Sequence, residues 1–309
     1  MPVAHDSSEF RYLPEQARAL HTGLPSVTRL SLRLADGRTL SALRFGDDDP
    51  EVTFLHGAGL NAHTWDTTAL LLGRPALMID LTGHGDSSWR DDRDYSPRVI
   101  ADDAAAGLAE WTTAPQVLVG QSLGGLVAAR VAAQHPDRVR ELIVVDITPG
   151  LDVDAAPAVL REFYAITDFA SRDEAVDRAQ SFGFGGTRAD TERGVFFNTR
   201  VRDDGRVEWK HHFAHIVGHA LDTLDPVTGA SDARGAQGWA DLAAVTVPVT
   251  LVRGTRGFLQ DADVDEFARR LPAATITTVE AGHNVQETAP DAIAVLATSA
   301  LGPATRSTP

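Results

Sequence analysis

The chain has 309 residues, 43% of them hydrophobic and 23% charged, an ordinary balance for a globular protein with one large core or a core plus an inserted subdomain. Its 43 acidic side chains outnumber 28 basic ones, for a formal charge of −15, which repels phosphate backbones and anionic lipid surfaces and argues against nucleic-acid and membrane partners. There are no cysteines, so disulfides, thiolate catalysis and Cys-based metal sites are excluded.

Residues 1–25 show no clear period and read as an arm or short helix. Two β-like runs follow, Arg29–Leu34 and Thr39–Phe45, joined by Ala35-Asp36-Gly37, which is hairpin-turn chemistry. Val52–Leu55 reads as a buried strand, and the chain then alternates. Ala76–Ile79, Val117–Val119 and Leu142–Val145 are apolar strand candidates, between helical patterns at Ala62–Leu72, Pro97–Thr112 and Leu123–His135. That rhythm predicts parallel strands covered by helices on both faces.

The alternation stops after Asp146. Residues 147–240 carry helical stretches, many charges and the cluster Gly183-Phe184-Gly185-Gly186, with no visible strand–helix rhythm. It resumes with a strand at Val249–Val252, a helix at Asp261–Arg270, a strand at Thr275–Val279 and a last helix at Pro290–Ala300. The expected organisation is an α/β core made of residues 1–146 and 241–309, interrupted by a helical lid over 147–240, which is longer than an ordinary loop. The tail Gly302–Pro309 is expected to fray. No apolar run reaches the ~18 residues of a membrane span. The start MPVAHDSSEF lacks the basic-then-apolar pattern of a secretory signal, so a cytoplasmic protein, monomeric or homodimeric, is expected.

The strongest local signal is Gly120-Gln121-Ser122-Leu123-Gly124, between the strand QVLV and the helix that starts at Leu123. A Ser in a sharp strand-to-helix turn presents its hydroxyl above the sheet, and the two glycines remove side chains that would collide with neighbouring backbone. The helix N-terminus behind it favours developing negative charge. A second signal, His56-Gly57-Ala58-Gly59, directly follows the strand VTFL. An oxyanion hole needs two convergent N–H donors, and the amides of Leu123 and Ala58 are the candidates. His56 itself reads as a structural hydrogen-bonder. A third signal is Ala281-Gly282-His283-Asn284 after the strand TITTV, where a loop histidine can take the Ser122 proton and return it to a leaving group.

Gly57-Ala58-Gly59-Leu60-Asn61-Ala62 also fits a dinucleotide fingerprint after a strand, with Asp80 near the place of a ribose-binding acid. A nicotinamide-dependent oxidoreductase is therefore a rival of a different class. It leaves Ser122 and His283 unexplained.

Taken together, His56-Gly57, Gly83-His84-Gly85-Asp86-Ser87, Gly120–Gly125 and Gly282-His283 resemble the α/β-hydrolase superfamily, in its serine-nucleophile, lidded, esterase-like branch. The resemblance implies an eight-stranded, mostly parallel sheet, a site at the carboxyl ends of the strands, a Ser-His-acid triad, a lid that gates a small-molecule substrate, and no cofactor. Members with Asp at the elbow, such as dehalogenases and epoxide hydrolases, are excluded by Ser122. Branches that hydrolyse carbon–carbon bonds or act as cofactor-free haloperoxidases also use Ser and stay open.

The acid departs from the common pattern. Most members place an Asp a few residues past the seventh strand, where this chain reads Arg253-Gly254-Thr255-Arg256-Gly257-Phe258-Leu259. Arg256 stands about where the acid is expected, and a cation there cannot stabilise an imidazolium. Asp261 and Asp263 come later, in the next helix. Some branches carry the acid after the sixth strand, and Val144-Val145-Asp146-Ile147-Thr148-Pro149 resembles the Val-Asp-Ile-x-Pro segment of small esterases of the superfamily. Asp146 is taken as the acid ahead of Asp261 and Asp263.

The expected chemistry is acyl transfer on an ester, lactone or thioester. Ser122 is the nucleophile, His283 the base, Asp146 the orienting acid, and the Ala58 and Leu123 amides the oxyanion donors. A binding module that kept the fold without catalysis is the remaining alternative, supported only by Arg256. No metal is expected. His211, His215 and His219 share a helical face, but no Glu follows the first as in a H-E-x-x-H site. The aromatics Phe163, Tyr164, Phe182, Phe184, Phe196, Phe197, Trp209 and Phe213 read mostly as the lid's own core.

Overall fold

The computed structural model describes residues 9–151, 158–219 and 230–302. Helix α1 (Leu13–Ala19) precedes a hairpin of β1 (Val27–Arg33) and β2 (Thr39–Phe45), which pair antiparallel around Gly37 at φ +89°. The chain continues through β3 (Val52–Leu55), a 3₁₀ turn (Ala62–Trp65), α2 (Asp66–Leu72) and β4 (Ala76–Asp80). Next come α3 (Pro97–Trp111), β5 (Gln116–Gln121), α4 (Leu123–Gln134) and β6 (Val139–Val145).

Between β6 and the next core strand lies the inserted segment. It holds α5 (Ala158–Tyr164), β7 (Asp168–Phe169), α6 (Arg172–Ser181), α7 (Arg188–Asn198), β8 (Thr199–Val201), β9 (Val207–Trp209), α8 (His212–His219) and α9 (Ala230–Ala244). The core resumes with β10 (Val249–Arg256), α10 (Asp261–Arg270), β11 (Thr275–Gly282), α11 (Val285–Thr288) and α12 (Pro290–Leu301).

The main sheet has eight strands in the order β1-β2-β4-β3-β5-β6-β10-β11. β2 runs antiparallel to β1 and β4, and every other neighbouring pair is parallel. The predicted eight-stranded, mostly parallel sheet is thus present. Its central strands are buried on both faces because their apolar residues alternate between two cores. Leu77, Ile79, Leu118, Leu142 and Val144 join one core with α3 and α4, whereas Met78, Val117, Val119, Ile143 and Val145 join the other with α2 and α12. Each such large apolar side chain, once buried, contributes about 1.5–3 kcal/mol.

This topology fixes where a site can form. From β3 the chain crosses to β4 on one side, then returns to β5 on the other side of β3. The strand order reverses there, and the loops after β3 and β5 diverge to leave a crevice at their carboxyl ends.

The inserted segment differs from the expected all-helical reading. It contains a three-stranded antiparallel sheet, β7-β9-β8, packed with helices around its own cluster of Phe163, Tyr164, Phe169, Val195, Val207 and Trp209. Trp239 and Leu242 of α9 lie in the main core, and Arg130 of α4 pairs with Asp241 at 2.9 Å. α9 therefore packs as a helix of the α/β core. Among the described residues, no helix is long and apolar enough to cross a membrane.

Candidate active site

Ser122 stands between β5 and α4 with φ +52° and ψ −122°. A non-glycine residue in that region carries strain of order 1–3 kcal/mol and persists only when its surroundings over-determine it. Here Ser122 N–H donates to the Val145 carbonyl at 3.0 Å, and its own carbonyl accepts from Gly125 N–H at 2.8 Å. The flanking glycines are sterically required. A Cβ on Gly120 would lie 2.2 Å from the Gly124 carbonyl oxygen, and one on Gly124 would lie 2.3 Å from that of Leu55. The elbow is thus pressed against the end of β3, and a Cβ on Gly57 would come within 3.2 Å of Ser122 Cβ.

Ala58 and Leu123 flank this point. Leu123 is the first residue of α4, where an amide has no intrahelical acceptor. Among the described residues, neither the Ala58 nor the Leu123 amide donates to a protein acceptor. His56 is fully buried beneath them. Its Nδ1 lies 2.8 Å from the Gly57 carbonyl and its Nε2 accepts from Leu81 N–H at 2.9 Å, so it braces the loop. Burial lowers its pKa below the usual histidine value, in spite of the Asp80 charge, and keeps it neutral.

Asp146 lies directly after β6 and is also left-handed, at φ +50°. Its carboxylate is completely buried and accepts three hydrogen bonds: from Gly254 N–H at 3.0 Å, from Phe258 N–H at 2.7 Å and from His283 Nδ1 at 2.8 Å. A carboxylate only accepts, so Nδ1 carries the proton and Nε2 is left as a free acceptor. The His283 loop is tied to the elbow by Gln121, whose Nε2 donates to the His283 carbonyl at 3.2 Å and to Asn284 Oδ1 at 3.3 Å. Ser122, His283 and Asp146 therefore gather at one end of the sheet, with Ala58 and Leu123.

The other acid candidates lie elsewhere. Asp261 is 89% exposed and pairs with Arg253 at 2.6 Å, and Asp263 accepts from Gln260 N–H at 2.8 Å in the capping box of α10. Arg256 ends β10 with its side chain 63% exposed and 3.5 Å from Glu280.

Two contributors were not visible in the sequence. Gly257 leaves room for the acid, because a Cβ there would lie 2.2 Å from both Asp146 carboxylate oxygens. Phe258 lays its ring on the His283 imidazole, with centroids 3.6 Å apart and planes 12° apart. The Gly-x-x-Gly-Phe spacing at 254–258 was the available signal.

The dinucleotide reading loses its acid. Asp80 is buried against Arg29 at 2.6 Å and accepts the Ala62 and Asp86 amides at 2.8 and 3.2 Å. Burial would raise its pKa, but the Arg29 guanidinium outweighs that and pulls it down to about 2. The histidines of the inserted segment are likewise engaged separately. His211 accepts from Ala214 N–H at 3.2 Å, whereas His212 meets the Tyr95 hydroxyl at 2.7 Å and stacks on Trp89 at 4.4 Å. The side chain of His219 lies outside the described residues.

Fold and site together define a hydrolase of the α/β class, and a family model described as the alpha/beta hydrolase family matches residues 54–296. The chain belongs to that family. It is 36% identical over 296 residues to the esterase Rv0045c of Mycobacterium tuberculosis, covering 92% of this chain and 93% of that protein. A solved structure of that esterase aligns with a TM-score of 0.80 at 34% identity, covering 97% of this chain and 100% of that one. The sn-1-specific diacylglycerol lipase ABHD11 of Mus musculus is 28% identical over 258 residues, covering 78% of this chain and 77% of that protein.

Proposed function

We propose that this chain is a carboxylic ester hydrolase that works through an acyl-enzyme on Ser122. The observation that carries this reading is the 2.8 Å hydrogen bond from His283 to the buried Asp146, at the sheet end where the strained Ser122 elbow opens. The relatives named as an esterase and a lipase support an ester as the bond cleaved.

In this mechanism the hydroxyl of Ser122 attacks the ester carbonyl while His283 Nε2 takes its proton. Asp146 holds the imidazole with Nδ1–H toward itself and stabilises the imidazolium that forms. The amides of Ala58 and Leu123 receive the negative oxygen of the tetrahedral intermediate, and the N-terminus of α4 adds its dipole. His283 then protonates the departing alkoxide. Water attacks the acyl-enzyme by the same route and releases the acid. The part of the inserted segment before α9 acts as the lid. It already touches the site: Tyr164 and His211 rest on Gly59, and Asn198 accepts from Asn61 at 2.7 Å.

A fluorophosphonate probe tests the reading directly. It should label the folded wild type at Ser122, fail on the denatured chain and fail on Ser122→Ala. Turnover of chromogenic esters should fall by on the order of 10⁴-fold or more in Ser122→Ala and in His283→Ala. Normal turnover in either variant overturns the assignment.

A further inference from the structure

Gly59 follows Ala58 in the oxyanion loop, has φ +75° and has no room for a side chain. A Cβ there would lie 2.9 Å from the Tyr164 hydroxyl and 3.9 Å from His211 Cε1. Two polar side chains of the inserted segment thus rest on the loop that supplies an oxyanion donor. Tyr164, at the end of α5, is 8% exposed, and His211, just before α8, is 1% exposed. Their rings meet edge-on with centroids 5.2 Å apart.

Both present an unused donor. Among the described residues the Tyr164 hydroxyl has no hydrogen-bond partner. His211 uses Nδ1 to accept from Ala214 N–H, which leaves its proton on Nε2, and that N–H has no protein acceptor among the same residues. Burial raises the phenol pKa and lowers that of the imidazole, so both stay neutral donors. Apolar rings pack around the pair, Phe163 and Trp209 on Tyr164 and Phe213 on both residues, and the neutral His84 ring stacks on His211 with centroids 6.1 Å apart. In a setting of low polarity a hydrogen bond from such donors to an incoming acceptor is strengthened.

We infer that Tyr164 and His211 form a two-donor subsite beside the oxyanion loop, which takes a second, neutral acceptor oxygen of the substrate. The inference rests on the esterase reading of Ser122. Consecutive Cα atoms are about 3.8 Å apart, so an oxygen held over Gly59 belongs a few bonds from a carbonyl held at Ala58. The substrate class is an ester that carries a keto, amide or ether oxygen close to the scissile bond. Among the described residues no Lys or Arg side chain pairs with Tyr164 or His211, which favours a neutral oxygen over a carboxylate.

Two ester pairs test this on the full chain. Para-nitrophenyl levulinate against para-nitrophenyl pentanoate places the extra oxygen in the acyl part. Methoxyethyl butanoate against butyl butanoate places it in the alkoxy part. The readout is the ratio of kcat/KM, oxygenated over plain, within each pair. Tyr164→Phe should lower that ratio about tenfold in one of the pairs. His211→Asn keeps an acceptor for Ala214 N–H and should lower the same ratio about threefold or more. Both substrates of a pair meet the same preparation, so partial misfolding scales both rates and leaves the ratio intact. Ratios that stay at the wild-type value in both pairs and both variants, with the plain esters still turned over, overturn the subsite and leave the esterase reading standing. A wild type that cleaves none of the four esters and takes no fluorophosphonate label overturns both.

Discussion

His283 Nδ1 lies 2.8 Å from Asp146 Oδ2, across the gap between the loops that follow β11 and β6. The same carboxylate oxygen also accepts the Phe258 amide at 2.7 Å, while its twin accepts the Gly254 amide at 3.0 Å. The carboxylate that binds His283 thus follows β6 but is held by backbone amides of Gly254 in β10 and of Phe258 just after it. Arg256 at the end of β10 turns to solvent, so a cation in the sequence position expected for the acid does not occupy its place in space.

This arrangement separates the acids by mutation. Asp146→Asn should lower turnover by on the order of 10²–10⁴-fold, because an amide turned toward two backbone donors and Nδ1–H loses acceptors and favours the wrong tautomer. Asp261→Asn and Asp263→Asn should each change turnover by less than about tenfold, since one is an exposed ion-pair partner and the other a helix cap. Steady-state kinetics beside thermal melts decide between a loss of chemistry and a loss of fold. A folded, active Asp146→Asn with a dead Asp261→Asn or Asp263→Asn would move the acid to the α10 side.

Phe258 stacks directly on the His283 imidazole. Its ring face lies 3.6 Å from the imidazole and restricts its rotation, and a ring face also favours the imidazolium of the transition state. Phe258→Ala is expected to lower kcat roughly tenfold with a smaller change in KM, and Phe258→Tyr to restore it. An unchanged kcat in Phe258→Ala, or a loss confined to KM, would make the residue part of the binding rim instead.

The core was legible because its strands and helices repeat a regular rhythm and its glycines mark close backbone approaches. The helix at Asp261–Arg270 and the strand at Thr39–Phe45 form with the expected bounds. The inserted segment was less legible for a physical reason. Its strands β7, β8 and β9 are two or three residues long, too short to show a period-two alternation. α9 straddles the end of the stretch without strand–helix rhythm, and it carries Trp239 and Leu242 into the core. The site residues that stayed hidden, Gly257, Phe258 and the Tyr164–His211 pair, gain their roles only from contacts between segments distant in sequence.

Gly257 offers a steric test of the acid cradle. An added methyl group at 257 would overlap both carboxylate oxygens of Asp146, which is completely buried and has no free direction to retreat. Gly257→Ala should therefore reduce turnover by on the order of 10²-fold or more and lower the melting temperature, as overpacking beside a buried charge does. Gly183→Ala is a fit comparison for fold, because a Cβ there meets nothing within 4 Å, although its φ of +74° adds some strain. If Gly257→Ala retains wild-type turnover, Asp146 has more freedom than its three hydrogen bonds imply.

A second buried network joins the N-terminal segment to the core and makes stability depend on pH. His63 is buried, with Nδ1 2.9 Å from Asp66 and Nε2 3.2 Å from Glu9, and its ring stacks on Phe197 of α7 at 3.8 Å. Arg29 approaches it at 3.5 Å and also pairs with Glu9, Asp80 and Asp86. Burial would lower the imidazole pKa, but Asp66 and Glu9 outweigh burial and Arg29, and the net shift is upward from 6.5. For Glu9, burial would raise the pKa, but His63 and Arg29 bring it from 4.5 down to about 2. The two shifts act in opposite pH ranges. A raised histidine contributes stability that is fully present below its unfolded value of about 6.5 and fades as pH rises through its higher folded value. A depressed Glu9 contributes stability above its unfolded value and loses it as pH falls toward about 2. Between about pH 6 and about pH 9 the carboxylate term is constant, so a change there isolates His63. The melting temperature of the wild type should fall across that window by roughly 2 °C or more relative to His63→Gln, which cannot titrate. On the acid side, between about pH 5 and about pH 2, Glu9→Gln should show a shallower loss than the wild type. Parallel curves for wild type and His63→Gln from pH 6 to pH 9 would mean that His63 is neutral in the folded chain and that Asp66 and Glu9 do not hold its proton.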